Sequence, residues 1–438
     1  MQNACPAINR GKSHLTRSAR YREAALRVIP TGSQTFSKAP RMFVQGTAPV
    51  FLELGKGGHV WDVDGNEYID FILALGPVLL GYAFNPVNEA LRKQLEEGII
   101  FSLPHPLELE LAEKLVDVIP CAEMIRFGKN GSDATAGAVR LARYVTGREM
   151  VLCCGYHGWQ DWYIGTTSRA YGIPRSVRRL TVPFAYNDFQ GLSDLFQRYK
   201  DKIACVIMEP VGVEPPQTGF LEHVRDLCQA HGSLLIFDEI VTGFRFHLGG
   251  AQGYFGVTPD LACFGKGMGN GMPISCIAGR REIMKAFDRV FFSFTFGGEV
   301  LSLAAALTVI RFMETHRVIE KIWALGRALK EGTNRLISEH GLSEYMKCVG
   351  YPPRTVLKFV HPETDPMVMH TFWQQEVVQR GVLSHANHNL CYSHGARDVE
   401  ETLGVYEEVL DRMKGPLNRG ELAALLKGPV LEPVFRRH

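Results

Sequence analysis

The sequence predicts an α/β protein with a mainly parallel sheet in a large domain, accompanied by a smaller α+β domain. Three observations carry this expectation. Between about residues 118 and 280, short apolar runs alternate with helical patterns, as parallel strands covered by helices on both faces do. A chain of 438 residues exceeds what a single core normally accommodates. The apolar runs also end in polar or glycine-rich residues, which an open parallel sheet gathers on the edge where ligands bind.

In chain order, Val60–Asp70 reads as two short strands around an Asp64-Gly65-Asn66 turn, and Leu107–Val118 as an amphipathic helix. Val151–Cys154, Ile203–Met208, Leu234–Phe237 and Leu261–Phe264 read as buried strands, with a helical stretch, Gly219–His231, leading into the third. Long helices follow at Leu301–Thr315 and Val318–His340, and a mixed region closes on Glu400–Met413. The expected domains are an N-terminal segment, 1–80, packing with the small domain, a large α/β domain, 81–310, and the small α+β domain, 311–438.

Lys plus Arg (48) nearly cancel Asp plus Glu (46) and the charges are scattered, which argues against a nucleic-acid groove or a polybasic membrane patch. No run has the length needed to span a bilayer, and the N-terminus lacks the apolar stretch of a signal peptide, so a cytoplasmic protein with a small-molecule partner is expected. The ten cysteines form no C-x-x-C pair and sit mostly in apolar runs, which points to neither disulfides nor a metal site.

The strand ends carry the chemistry. Lys266 lies in Phe264-Gly-Lys-Gly-Met-Gly-Asn-Gly271, where bare backbone lets a flat ring approach an amine that can condense with an aldehyde. An ordinary lysine in a glycine-rich turn fits the same residues. A phosphate-binding P-loop does not, because Gly267 stands where Ser or Thr is needed. Asp238 closes the apolar run Leu234–Phe237, where a carboxylate is costly without a cationic partner such as a protonated pyridine nitrogen; an Asp that caps the next segment or pairs with Arg245 fits the same residue. Lys129–Thr135 leads into a helix at Ala136–Tyr144, where Gly131 and Ser132 would suit a phosphate or simply cap the helix. Tyr156 could stack on a ring face opposite Ile240, or stand as a rim aromatic.

Taken together, the ordered set Asn130-Gly-Ser-Asp-Ala-Thr135, Tyr156-His-Gly158, Met208-Glu-Pro210, Phe237-Asp-Glu-Ile-Val-Thr-Gly-Phe-Arg245, Phe264-Gly-Lys-Gly267 and Thr295-Phe-Gly-Gly298 resembles a class III aminotransferase, from about Tyr21 to Met413. It is most similar to the branch that includes glutamate-1-semialdehyde aminomutase. The resemblance implies fold type I with a seven-stranded-type sheet, pyridoxal 5′-phosphate (PLP) as cofactor, and a homodimer. Lys266 would be the Schiff-base lysine and proton shuttle, and Asp238 the partner of the pyridine nitrogen. Gly131, Ser132, Tyr156, His157, Glu209 and Ile240 would complete the cofactor site, with Thr295 reaching the phosphate of the neighbouring subunit's cofactor.

Three departures separate the chain from the aminomutase. Gln34-Thr-Phe-Ser-Lys38 replaces a loop that carries an Arg, and Lys is a weaker bidentate partner for carboxylate. The stretch after Tyr156-His-Gly-Trp159 is too short for the aminomutase's gating loop. Ser384-His-Ala-Asn-His-Asn389 replaces an acidic segment with neutral donors and acceptors, a set suited to the hydroxyls of a sugar or cyclitol. A solvated turn is the alternative for that stretch. The expected reaction is therefore ping-pong transfer from an amino-acid donor, glutamate or glutamine, to a small, sugar-like carbonyl acceptor. Lys38, Trp159, Arg245, His385 and Asn387 are the candidate substrate residues. An aminomutase or racemase is the alternative activity, and a catalytically silent relative the remaining one.

Overall fold

The computed structural model describes residues 14–432. Near the start of the chain, strands β1 (Leu52–Lys56), β2 (His59–Asp62) and β3 (Glu67–Asp70) form an antiparallel meander. Its tight turn is held by Asp62, whose Oδ1 accepts the N–H groups of Asp64 and Asn66 at 2.9 and 2.8 Å, so the Asp-Gly-Asn signal works as expected.

The central sheet uses β4 (Met124–Gly128), β5 (Met150–Cys154), β6 (Thr181–Pro183), β7 (Ile203–Met208), β8 (Leu234–Asp238), β9 (Leu261–Phe264) and β10 (Ser275–Gly279). Their order is β4-β10-β9-β8-β7-β5-β6. Only β10 opposes the others, pairing antiparallel with both β4 and β9. Every residue of β7 and β8 is buried, as a strand covered on both faces requires. Ala134, Ala138, Leu141 and Ala142 of the helix Gly131–Thr146 pack with Val151, Ile207, Ile236 and Ile277 of the sheet. The nine described cysteines are free and buried, and burial pushes the thiols of Cys205 and Cys276 up to about 12.

The remaining strands are β11 (Met346–Tyr351), β12 (Arg354–Phe359), β13 (Val382–Leu383) and β14 (Asn387–Asn389). β13 lies parallel to β3, completing a four-stranded sheet, while β11, β12 and β14 form a three-stranded one. The described chain divides into two compact units. One takes the chain up to Leu75, Gly81–Ala83 and Glu320 onward; the other takes Gly76–Leu80 and Phe84–Ile319. Two details differ from the sequence reading. The helix expected from Ala136 starts at Gly131, because Asn130 and Asp133 form a capping box five residues earlier. The sheet also includes β4, β6 and β10, which periodicity did not reveal.

Candidate active site

Four neighbouring strands end level with one another. Cys154 pairs with Met208, Met208 with Phe237, and Asp238 with Cys263. The next residues on these strands bring Gly155–Gly158, Glu209, Asp238 and Lys266 to one edge of the sheet, the carboxyl edge where α/β folds place their ligands.

Asp238 is 3% exposed. Its Oδ2 lies 2.8 Å from His157 Nδ1, and its Oδ1 accepts the Ile240 N–H at 3.1 Å. His157 is itself buried against Trp162, and Thr135 Oγ1 donates to its carbonyl at 2.7 Å. Among the described residues Asp238 has no Lys or Arg partner, so Arg245 is not its cation. A carboxylate this deeply buried, held by one imidazole and one main-chain N–H, suits a pyridinium as a further partner.

Lys266 opens a 3-10 turn, Lys266–Gly269, directly after β9 and is half-buried. Its φ of 42° is left-handed, a strained setting for a residue with a side chain. Ile240 fits between two glycines beside it: a Cβ at Gly131 or at Gly265 would come within 3.1 Å of the Ile240 side chain. Gly131 and Ser132 are the first residues of the 16-residue helix Gly131–Thr146, where main-chain N–H groups lack helical partners and the dipole favours an anion. A Cβ at Gly158 would strike Ser132 Cβ at 2.6 Å, so the Tyr156–Gly158 loop is seated directly on that helix start.

Glu209 Oε2 accepts the Tyr156 N–H at 2.9 Å, which fixes the same loop from the other side. Burial, and then the neighbouring Asp238 carboxylate, push the Tyr156 phenol above its ordinary value. Trp159 is 66% exposed. Thr295 lies in an exposed turn anchored at its base by the Lys129–Glu299 ion pair, 2.8 Å long. Burial pushes the Glu299 carboxyl up, but Lys129 and the Ser302 hydroxyl outweigh it and hold the group below its usual value. Lys129 directly precedes the Asn130-Gly131-Ser132 segment, so one ion pair links the helix start to the Thr295 turn.

Several expected substrate residues are placed differently. Arg245 is 2% exposed and its Nη2 donates to the Gly76 carbonyl at 2.8 Å, a core anchor rather than an open cation. His388 and Asn389 also turn inward. His388 bonds to Thr355 Oγ1 and the Tyr406 hydroxyl at 2.7 and 2.6 Å, and Asn389 Nδ2 to the carbonyls of Phe71 and Ile72 at 3.2 and 3.1 Å. The polar set that was to read hydroxyls thus shrinks to His385 and Asn387, whose Nε2 and Oδ1 are buried without a hydrogen-bond partner. Lys38 stands exposed on the turn Phe36–Lys38. These last three residues belong to the unit that contains β1–β3, and the others to the unit of the central sheet.

The His157–Asp238 contact was not visible in the sequence, which named His157 only through the Tyr-His-Gly motif. No local pattern reports a bond between the ends of β5 and β8. Among the described residues no group of three or more His, Cys, Asp or Glu could hold a metal ion, and no helix is long and apolar enough to cross a membrane.

The class-III aminotransferase family profile matches residues 43–350. The 3-aminobutyryl-CoA aminotransferase of Cloacimonas acidaminovorans is 37% identical over 414 residues, covering 92% of this chain and 99% of that protein. The glutamate-1-semialdehyde 2,1-aminomutase of Syntrophobacter fumaroxidans is 39% identical over 348 residues, covering 75% and 78%. Among solved structures, the FumI protein of Sphingopyxis sp. MTA144 in its PLP internal aldimine form aligns with a TM-score of 0.86 at 32% identity, over 92% of this chain and 98% of that one.

Proposed function

This chain belongs to the class III aminotransferases, enzymes that depend on PLP, and we propose that it moves an amino group from an amino acid, glutamate or glutamine, to the carbonyl of a separate small acceptor. The observation that carries intermolecular transfer is the connection between β5 and β6. It runs over residues 155–180 and is internally bonded: Tyr163 Oη donates to the Gly155 carbonyl at 2.8 Å, Thr167 Oγ1 to the Ile164 carbonyl at 2.9 Å, and Arg178 to the carbonyls of Ile173 and Ala170. Such a segment does not supply the long gate that a mutase needs to retain its released intermediate.

Bound at this edge, PLP supplies an electrophilic carbon for the donor's amine and an electron sink for the breaking Cα–H bond. Lys266 would hold the cofactor through its Nζ, and the same Nζ, when free, would take up and return the proton that the transfer moves. Asp238 keeps the ring nitrogen protonated, and His157 keeps Asp238 in place. Gly131 and Ser132 receive the phosphate at the helix start, and Ile240 and Tyr156 bracket the ring. Donor and acceptor use this site in turn, so the kinetics are ping-pong. On the sequence reading, Lys38 is the candidate partner for the donor's carboxylate.

The enzyme acts as a homodimer in which Thr295 serves the partner's phosphate. Exposed Leu103 (80%), Phe291 (77%) and Phe296 (59%) in the same unit support this, since apolar groups this open favour a covering surface. The acceptor is sugar-like on the sequence reading. A 3-oxoacyl thioester stands beside it, favoured by the end-to-end similarity to the Cloacimonas enzyme and by the inward bonding of His388 and Asn389.

The test is to supply keto sugars, 3-oxobutyryl-CoA or glutamate-1-semialdehyde with and without glutamate. Product that requires both donor and acceptor is expected. Conversion of the semialdehyde alone would make the enzyme a mutase.

A further inference from the structure

The turn that carries Lys266 is held down by a distant stretch of the chain. Gly76-Pro-Val-Leu-Leu80 belongs to the same compact unit as the central sheet, and its Val78, Leu79 and Leu80 are buried. Each end of this strap is bonded to a segment that flanks Lys266. At one end the Gly76 carbonyl accepts Arg245 Nη2 at 2.8 Å. At the other the Leu80 N–H donates to Asn270 Oδ1 at 2.8 Å. Between them, a Cβ at Gly267 would come within 3.2 Å of Leu79 Cδ2, so the middle of the strap lies directly on the lysine turn.

The chain ahead of Lys266 is covered as closely. Phe244 packs on Phe264 with ring centroids 5.7 Å apart, and a Cβ at Gly243 would strike the Phe264 ring. Arg245, the next residue of that turn, thus ties the strap to the chain just before the lysine, and Asn270 ties it to the chain just after. Both ends of the lysine turn are left-handed, with φ 42° at Lys266 and 44° at Asn270. Asn accepts that conformation more readily than most residues, and Lys does not. The backbone of Lys266 is therefore kept by its surroundings rather than by its own preference. Leu80 is fully buried, so a side-chain oxygen that serves its N–H is costly to give up.

We propose that Asn270 is a positioning residue for Lys266. Its bond to Leu80 fixes the lysine turn against the strap and keeps Nζ where it meets the cofactor's aldehyde. The condensation joins Nζ to the aldehyde carbon with loss of water, and Asn270 takes no chemical part in it. This role rests on the reading of Lys266 as the cofactor's lysine. It acts on the amine alone, so it is separable from whatever holds the phosphate and the ring.

The test uses the full-length protein stripped of cofactor. The Schiff-base absorbance is followed after mixing with PLP, and the Kd is measured for pyridoxamine 5′-phosphate, which carries an amine in place of the aldehyde and forms no bond to a lysine. Asn270→Gly keeps a residue at ease in the left-handed backbone and removes the acceptor. It should slow Schiff-base formation at least about tenfold and leave the pyridoxamine phosphate Kd within about twofold. Asn270→Asp retains an acceptor oxygen and tolerance of that backbone, and should recover most of the rate. An unaltered rate in Asn270→Gly would overturn the proposal. So would an equal loss of pyridoxamine phosphate affinity, which would make Asn270 a support of the whole pocket. An Asp variant as slow as the Gly variant would place the effect on the amide's NH2 group and remove the Leu80 tie. In Lys266→Ala the absorbance should be absent; its persistence would show that another amine holds PLP, a failure of the reading of Lys266 itself.

Discussion

His157 Nδ1 lies 2.8 Å from Asp238 Oδ2 although His157 follows β5 and Asp238 ends β8, strands that are not adjacent, with β7 between them. The contact gives the buried carboxylate a partner that belongs to the protein itself. Replacing His157 with Phe leaves that oxygen without one, so the apo protein should lose about 1–3 kcal/mol in denaturant unfolding. With Asp238 paired to the ring nitrogen as proposed, turnover should fall at least about tenfold. His157→Asn, whose amide can still donate to the carboxylate, should recover part of both. An Asn variant no better than Phe would assign His157 a packing role alone.

Gly155 has φ 124°, and a Cβ there would meet Glu209 Oε2 at 2.7 Å. Gly155→Ala should therefore cost about 1–3 kcal/mol from backbone strain and crowding. Glu209→Ala should relieve the crowding but not the strain, so a double-mutant cycle by thermal unfolding should show a favourable coupling of about 1 kcal/mol. Simple additivity would mean that the carboxylate moves aside without cost.

Lys266 has a left-handed backbone that glycine adopts freely. With Lys266 as the proposed shuttle amine, both Lys266→Ala and Lys266→Gly should abolish transamination. The Gly variant should nevertheless be the more stable of the two, by about 1 kcal/mol in apo-protein unfolding. Equal stabilities would show that the chain relaxes out of that conformation once the side chain is removed.

His59 bridges Asp398 and Glu67 at 3.0 Å each. The hydrogen bond to Asp398 raises its pKa, burial opposes this, and the charges of Asp398 and Glu67 add to the rise. A raised folded value means that the stabilisation is complete below the ordinary histidine value near 6.5 and is lost as pH climbs through the raised one. On the acid side, the bond to His59 helps hold Asp398 low despite burial, so that contribution fades as pH falls through the depressed carboxyl value. The Tm should thus decline on the alkaline side of neutrality, and His59→Gln should flatten that limb. An unchanged alkaline limb would show that the bridge adds nothing.

Asp238 and Lys266 stood out in the sequence because a carboxylate closing Leu234–Phe237 is costly there and an amine among glycines is unusual, although each alone also fitted an ordinary structural role. The same economy exposed the four strands whose apolar runs are longest. β6 escaped notice as a three-residue edge strand ending in Pro183, and β10 because Ser275-Cys-Ile-Ala-Gly279 has the small residues of a turn rather than a β-branched run. Polar residues were harder to place. Arg245, His388 and Asn389 look like surface recognisers in a string of letters, and only the three-dimensional partners Gly76, Tyr406 and Phe71 show them to be interior ties.

Ile240 acts as a spacer gauge. Its side chain limits the room at Gly131 on one side and at Gly265 on the other, so the space on both flanks is a property of one residue rather than of two loops. A side chain at either glycine would have to push the isoleucine aside by a few tenths of an ångström, whereas trimming residue 240 would open both flanks together. With the cofactor ring placed beside Ile240 as proposed, engineering for a bulkier analogue would therefore begin at position 240 and leave the glycines alone.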